Sequence, residues 1–363
     1  METTVQAALA EASQTQFQRF IAQLTPGQPV GVLCHSDADG LAAGAILGRT
    51  LERLGHTPLV EVTGKGENAW SSVVRARLAR LPLQALLVAD LGSRDQPLID
   101  APTLLIDHHR PTGTPPGATL ITGYGHAPTP TSGLLAYWCG QAVAPIDDLL
   151  WIAAISLLSD IGDRAPFAEL DEARQRYKAS PLRTATTLLN APRRTAGGDA
   201  RPALELLLRA NDPREVIRGT APEVALLNAA KAEVNAAFAE AKKAAPVFRD
   251  QVAMIRIDTP CQIHPLIAQI WRTRLPAYIV MGVNTGYMPG YVHFSARSGP
   301  GVSVLDFLRA HAPADADERY GNGHDQASGG ALRYAAWNEF AAGLGFGPEL
   351  LVAESSREIG QHP

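Results

Sequence analysis

Val30-Gly-Val-Leu-Cys34, running directly into His35-Ser-Asp-Ala-Asp-Gly40, decides the fold of this chain. A short apolar run bounded by turn-forming residues reads as a strand buried on both faces, the kind found in parallel sheets. Gln84–Ala89 and Thr103–Ile106 read the same way, and helical patterns at Leu41–Leu54 and Ser71–Leu81 lie between the three. The alternation β-α-β-α-β predicts an α/β protein with a doubly wound, mainly parallel sheet. Each strand ends in polar residues: His35 to Asp39 after the first, Asp90 after the second, and Asp107-His108-His109 after the third. Ligands of open α/β sheets bind beyond the carboxyl ends of the strands, so the shared position of these clusters marks the expected site.

Outward from this unit, a Pro/Gly/Thr-rich loop spans Pro111–Thr131 and a helical stretch includes Leu149–Leu158, then Ser159-Asp-Ile-Gly-Asp163. Pro, Gly and charge density rise from Asn190 to Arg201, and Ala-rich helical sequence, including Pro222–Lys243, runs to Ala245. After Pro246 come Gln251–Asp258, a helix at Pro265–Arg274, strands at Ala277–Val283 and Tyr291–Ser295, the stretch Val302–Ala310, a glycine-rich loop Gly321–Gly330 and a helix near Ala335–Leu344. The expected boundaries are therefore 1–190 for the first domain, 191–245 for a helical linker, 246–352 for a smaller α/β domain and 353–363 for a tail. At the N-terminus Ala8, Phe17, Phe20, Ile21 and Leu24 form the stripe of a packing helix.

The 363 residues exceed what one hydrophobic core supports, in agreement with two domains. With 46% hydrophobic and 19% charged residues, the chain is globular in composition rather than disordered or collagen-like. A net charge of -4 argues against a polybasic binder, so any polyanion must be met by a local groove. Cys34, Cys139 and Cys261 are far apart, odd in number and form no CxxC pair, so neither a disulfide framework nor a cysteine zinc site is suggested, which fits a reducing cytoplasm. The sequence has no apolar run of about 18 residues, so no membrane span is expected.

His35, Asp37 and Asp39 alternate after a buried strand, where neighbouring carboxylates are costly unless a cation lies between them. Asp39 before Leu41–Leu47 would also serve as a helix N-cap, which accounts for one aspartate and leaves His35 and Asp37 unexplained. With Asp90, His108 and Asp160 the set reaches four carboxylates and two imidazoles, enough for two metals sharing a carboxylate. Oxygen donors with some imidazole suit manganese, with magnesium or cobalt as alternatives. Asp160 is preferred to Asp163 as the fourth carboxylate. Gly64-Lys-Gly66 lacks P-loop spacing, Ser36 lacks a nucleophile elbow, and His126, His264, His293 and His311 are isolated. Arg193, Arg194, Arg249, Arg272 and Arg274 read as solvated faces, and Tyr291 and Phe294 as core aromatics before base-stacking platforms.

These motifs resemble those of the DHH phosphoesterase superfamily, in the branch that carries a DHHA1 domain and includes RecJ-like exonucleases and oligonucleotide nucleases. His35-Ser-Asp-Ala-Asp-Gly40 is similar to the first motif, Asp90 to the second, Asp107-His108-His109 to the third and Asp160 to the fourth. Gly323-His324 with Gly329 and Gly330 resembles the glycine-rich substrate motif of the DHHA1 domain, although Gly321-Asn-Gly-His replaces three consecutive glycines, and Ser295-Ala-Arg-Ser298 resembles its arginine-bearing strand. The resemblance spans about residues 30–345. It implies that His35, Asp37 and Asp90 hold one manganese ion and Asp39, Asp90, His108 and Asp160 the other. It further implies that His109 contacts phosphate, that Asp107 orients the neighbouring histidine, and that Arg297, Gly323, His324, Gly329 and Gly330 bind substrate across a cleft between the domains.

The expected activity is two-metal hydrolysis of phosphodiester bonds by metal-activated water, on single-stranded DNA or short oligonucleotides, from an end. The alternatives are a small-nucleotide phosphoesterase acting on cyclic or linear dinucleotides or on pAp, and a non-catalytic nucleic-acid-binding relative. The expected setting is cytoplasmic, without a membrane partner and with an oligomer left open.

Overall fold

The apolar run from Val30 forms β1 (Pro29–Cys34), preceded by α1 (Glu2–Ile21) and followed by α2 (Ala38–Arg53), β2 (Thr57–Val62), α3 (Ser72–Leu78), β3 (Ala85–Ala89), β4 (Thr103–Asp107) and β5 (Thr119–Thr122). The structure, a computed structural model, describes residues 2–317 and 319–353. The five strands form one sheet in the order β2-β1-β3-β4-β5, every pair parallel. Side chains alternate across it as the strand period requires. Val30, Val32 and Cys34 enter a large core with the helices, while Leu33, Leu86 and Val88 enter a smaller one with Trp70, Val74 and Leu78.

The large core is closed by α1, α2 and the helices α4 (Ser132–Gln141), α5 (Leu150–Asp160), α6 (Ala168–Tyr177), α7 (Ala179–Leu189), α8 (Arg201–Arg209) and α9 (Pro213–Arg218). Helix α2 is buried along most of its length. Its close approach to the sheet depends on Gly44 and Gly48, one turn apart, where a Cβ would lie 2.6 Å from Cys34 Sγ and 2.8 Å from Val60 Cγ2. The glycines therefore fix where the N-terminus of α2, and with it the first polar cluster, meets the end of β1.

The chain divides into two units, Met1–Arg193 with Gly197–Lys231, and Arg194–Ala196 with Ala232 onward. The division falls within α10 (Pro222–Ala241). The second unit contains β6 (Val247–Arg249), β7 (Val252–Ile257), α11 (His264–Arg274), β8 (Ile279–Met288), β9 (Tyr291–Arg297), α12 (Val304–Ala310), β10 (Tyr320–His324), β11 (Ala327–Arg333) and α13 (Tyr334–Gly343). Its sheet has the order β10-β11-β9-β8-β7-β6 and is mixed, with only β7 and β8 parallel. Phe294, Trp337 and Phe340 anchor one of its cores, with Phe294 stacked on Phe340 at 5.9 Å.

Several local expectations change. Strands β2 and β5 were not legible, because both are sheet edges whose residues are largely half-buried, and Pro58 sits in β2 as an edge tolerates. The stretch read as the loop Gly321–Gly330 is a β-hairpin. Its glycines serve close packing, since a Cβ on Gly329 would lie 2.5 Å from the Phe294 carbonyl oxygen. In the region expected to be a linker, Ala203, Leu204 and Leu207 of α8 and Val216 of α9 are buried in the first unit's core. Within α10, Val224 and Leu227 belong to the first unit's core and Val234 and Ala241 to a core of the second. The expected tail lies, from residue 354, outside the described residues. Among the described residues no helix is long and apolar enough to cross a membrane.

Candidate metal centre

In the order β2-β1-β3-β4-β5 the chain leaves β1 toward β2 and leaves β3 toward β4, so the two connections diverge and open a crevice beyond the carboxyl ends of β1 and β3. His35, Asp37 and Asp39 follow β1 there, and Asp90 follows β3. His35 is tied in place through its N–H, which donates to the Ala89 carbonyl at 3.2 Å. Asp90 leaves the strand with φ 63°, a left-handed conformation that is uncommon outside glycine and is held here by neighbouring structure. Its N–H donates to the Ile106 carbonyl at 3.0 Å.

Asp37, not Asp39, is the N-cap of α2, and its Oδ1 accepts from the Gly40 N–H at 3.0 Å. The helix starts at Ala38, three residues earlier than the hydrophobic pattern from Leu41 suggests, and the Ala38 N–H is capped from afar by Asn190 Oδ1 at 3.0 Å. Asp39 is thereby free of the capping role. It sits fully buried in the first turn, accepting from the Ser132 and Gly133 N–H groups at 3.0 and 2.7 Å.

These residues converge on Asp90. His35 Nδ1 lies 3.1 Å from Asp37 Oδ2 and 3.4 Å from Asp90 Oδ2. His108 Nε2 lies 3.5 Å from Asp90 Oδ1, 3.9 Å from Asp39 Oδ2 and 3.4 Å from Asp160 Oδ2. Two sets, His35/Asp37/Asp90 and Asp39/Asp90/His108, each offer three donor atoms within 4.8 Å of one another. Asp160 joins through His108, whereas Asp163 is turned to the surface and pairs with Arg183 and Arg174 at 2.6 and 3.3 Å.

Asp90, His109 and Asp107 offer a further set of donor atoms within 4.8 Å of one another, but local bonds engage Asp107. Its Oδ2 accepts from the Gly92 N–H at 2.7 Å and its Oδ1 from the His109 N–H at 2.6 Å, with His109 Nδ1 at 3.1 Å. His109 Nδ1 is also 3.8 Å from Asp90 Oδ1, and the His108 and His109 rings meet edge to face at 4.5 Å.

The charge balance follows from this crowding. Burial and then Asp37 push Asp39 up to about 6, against the bonds from Gly133, Ser156 and Ser132. Burial, followed by repulsion from Asp39, Asp37, Asp160 and Asp107, drives Asp90 well above the ordinary carboxylate range. Asp160 rises for the same reasons, burial first and then Asp39 and Asp37. Burial alone would raise Asp37 too, but His35 and Arg193, the latter at 3.8 Å, hold it well below the usual value. Burial opposes protonation of His109, yet the bond and charge of Asp107 raise it to about 9. A buried oxygen-rich set in which Asp39, Asp90 and Asp160 resist ionisation, joined by the imidazoles of His35 and His108, is the donor chemistry that a hard divalent cation satisfies.

In the second unit, strand register sets Arg297 opposite Ala327, and Ala327 opposite His324. Gly329 pairs with Ser295, and Gly330 with Phe294. The half-buried Arg297 guanidinium donates to Ser295 Oγ at 2.8 Å and to the Ala296 carbonyl at 3.0 Å, and burial lowers its pKa. Gly323 has φ 131°, and a Cβ there would lie 2.4 Å from the Ala327 carbonyl oxygen, so only glycine fits. Phe294 is core and offers no base-stacking face, while Tyr291 lies under Arg319 and Arg333.

Ser132, Gly133 and Asn190 had no place in the sequence reading of the centre, and Arg193, read as part of a solvated face, is instead mostly buried beside Asp37. For the first two the available signal was Thr131, which caps α4 by accepting from the Leu134 N–H ahead of an apolar run. For Asn190, 152 positions from Ala38, no local signal exists.

Sheet order and polar cluster together define an α/β fold with an acidic, histidine-bearing centre at its topological switch point. The fold is that of RecJ and of a DHH-domain protein. RecJ of Thermus thermophilus in complex with Mn2+ superposes with TM-score 0.69 at 20% identity over 93% of this chain, which spans only 54% of that protein's length. An exonuclease RecJ bound to manganese matches with TM-score 0.64 at 23% identity, over 93% of each chain. The DHH domain of a protein assigned to a family of ribosomal proteins matches with TM-score 0.66 at 14% identity, over 94% of this chain and 91% of that one. No protein-family model and no curated protein matches the sequence.

Proposed function

We propose that the protein is a metal-dependent phosphodiesterase that hydrolyses single-stranded DNA or short oligonucleotides from an end, with two divalent cations, manganese before magnesium or cobalt. The observation that carries this reading is the position of Asp90 in both donor sets, with His35 and Asp37 on one side and Asp39 and His108 on the other. His35, Asp37 and Asp90 would hold one cation, and Asp39, Asp90, His108 and Asp160 the second. When bound, such cations supply Lewis acidity for the phosphoryl oxygens and acidify water enough for attack near neutral pH.

The chain's own residues do the rest. His109, held protonated at neutral pH by Asp107, donates to a phosphate oxygen, and Asp107 fixes its ring. Arg297 and His324, with the backbone at Gly323, Gly329 and Gly330, bind a substrate phosphate, a task suited to a guanidinium fork. The RecJ likenesses, one of an exonuclease bound to manganese and others with Mn2+ or Mg2+, support this choice of substrate and cation.

The test is manganese-dependent hydrolysis of end-labelled single-stranded DNA and RNA, a linear dinucleotide, a cyclic dinucleotide and pAp, with Asp90→Ala as control. Stepwise shortening of long strands is expected. Turnover confined to dinucleotides or pAp would assign a nucleotide-recycling phosphoesterase instead, and no turnover on any substrate would leave a binding protein.

A further inference from the structure

We propose that Ser132, at the first turn of α4, is a positioning residue that sets the spacing between Asp39 and Asp90, an inference that rests on the metal-centre reading above. Ser132 is fully buried and uses two donors on two different carboxylates. Its N–H donates to Asp39 Oδ2 at 3.0 Å, and its hydroxyl donates to Asp90 Oδ1 at 2.9 Å. Asp39 comes from the helix after β1 and Asp90 from the end of β3; the bond from the His35 N–H to the Ala89 carbonyl joins these segments at the backbone, and the two carboxylates need a link of their own. Ser132 supplies that link from a third element.

The rest of the first turn makes the link rigid. Gly133 N–H donates to the other oxygen of Asp39 at 2.7 Å, so both carboxylate oxygens are held by consecutive amides. The positive end of α4 favours the ionised carboxylate at that place. Thr131 caps the helix by accepting from the Leu134 N–H, and its hydroxyl bonds to Ser156 of α5. Ser156 and Asp39 leave no space beside Gly133, where a Cβ would lie 2.6 Å from Ser156 Cβ and 3.1 Å from Asp39 Oδ1. A turn so enclosed cannot shift to follow its carboxylates, so the carboxylates follow it. Partners of ligands characteristically change metal affinity about 10- to 100-fold when removed.

The consequence is specific to the hydroxyl. Ser132→Ala keeps both amide bonds to Asp39 and removes only the bond to Asp90, the residue common to both donor sets, so affinity at both sites falls together. The experiment is calorimetric titration of Mn2+ into the metal-free full-length protein, wild type, Ser132→Ala and Ser132→Thr, with thermal unfolding of each in EDTA. Wild-type binding, weakened about 10- to 100-fold in Ser132→Ala and restored in Ser132→Thr, with similar unfolding temperatures in EDTA, is the expected result. Equal affinity of wild type and Ser132→Ala overturns the role of Ser132 and leaves the centre intact. Equal loss in Ala and Thr variants also overturns it, since packing rather than the hydroxyl would then matter. Absence of Mn2+ binding by the wild type overturns the metal-centre reading itself, and this inference with it.

Discussion

Without metal, the protein should lose stability as the pH rises from 4 to 7, and Asp39 gives the effect a size. Its carboxyl is raised in the folded state from 3.8 to about 6 by burial and by Asp37. A raised carboxyl means that the folded state binds a proton more tightly than the unfolded state does. Its stabilising contribution is therefore complete below pH 3.8 and lost as the pH passes about 6. A shift of roughly two units corresponds to about 3 kcal/mol. Asp90 and Asp160 move in the same direction and carry the loss to higher pH. Asp37 and Asp107, both lowered, act only below the ordinary carboxylate range, where their contribution is lost as pH falls. The assay is urea unfolding in EDTA at half-unit intervals from pH 4 to 7, followed by tryptophan fluorescence, for wild type and Asp39→Asn. Relative to the variant, the wild type should lose about 3 kcal/mol across the interval. With saturating Mn2+ the wild-type trend should reverse, because the donors bind metal deprotonated. A difference between the two proteins that is flat with pH in EDTA would refute the argument.

Asp160→Asn should weaken Mn2+ binding, whereas Asp163→Ala, at a half-exposed ion pair, should leave it unchanged and alter stability by no more than about 1 kcal/mol; isothermal calorimetry separates the two. His109 owes its raised pKa of about 9 to Asp107, so Asp107→Asn should move the alkaline limb of the kcat/KM profile to lower pH, and His109→Gln should abolish that limb. Arg297→Ala should raise KM on oligonucleotides at least tenfold, the cost of about 1.4 kcal/mol of lost phosphate contact, with Mn2+ affinity unchanged; an unaltered kcat/KM would remove Arg297 from the substrate site.

What could be read from the sequence was what is encoded locally. Val30–Cys34, apolar on both faces, could only be an inner strand, and three such runs ending in Asp or His placed the cluster at the carboxyl ends of the strands. The edge strands β2 and β5 stayed hidden because half-buried strands carry little apolar signal. The capping role was assigned two residues too late, to Asp39, because the first residue of α2 is capped by Asn190, whose partnership with Ala38 depends on the tertiary fold. The same holds for Ser132, the first residue of α4: only the packing of that helix turns its donors toward Asp39 and Asp90. Gly329 and Gly330 suggested a loop, since glycine marks both turns and close backbone packing, and sequence does not distinguish the two.

The central claim is that Asp90 is shared by two cations. Anomalous diffraction from crystals of the full-length protein soaked in Mn2+, collected at the manganese edge for wild type and Asp90→Ala, tests it most directly. The account predicts two peaks in the wild type, one beside His35 and Asp37 and one beside Asp39 and His108, both contacting Asp90 and both absent from the variant. A single peak, or two peaks that persist without the Asp90 carboxylate, would contradict it.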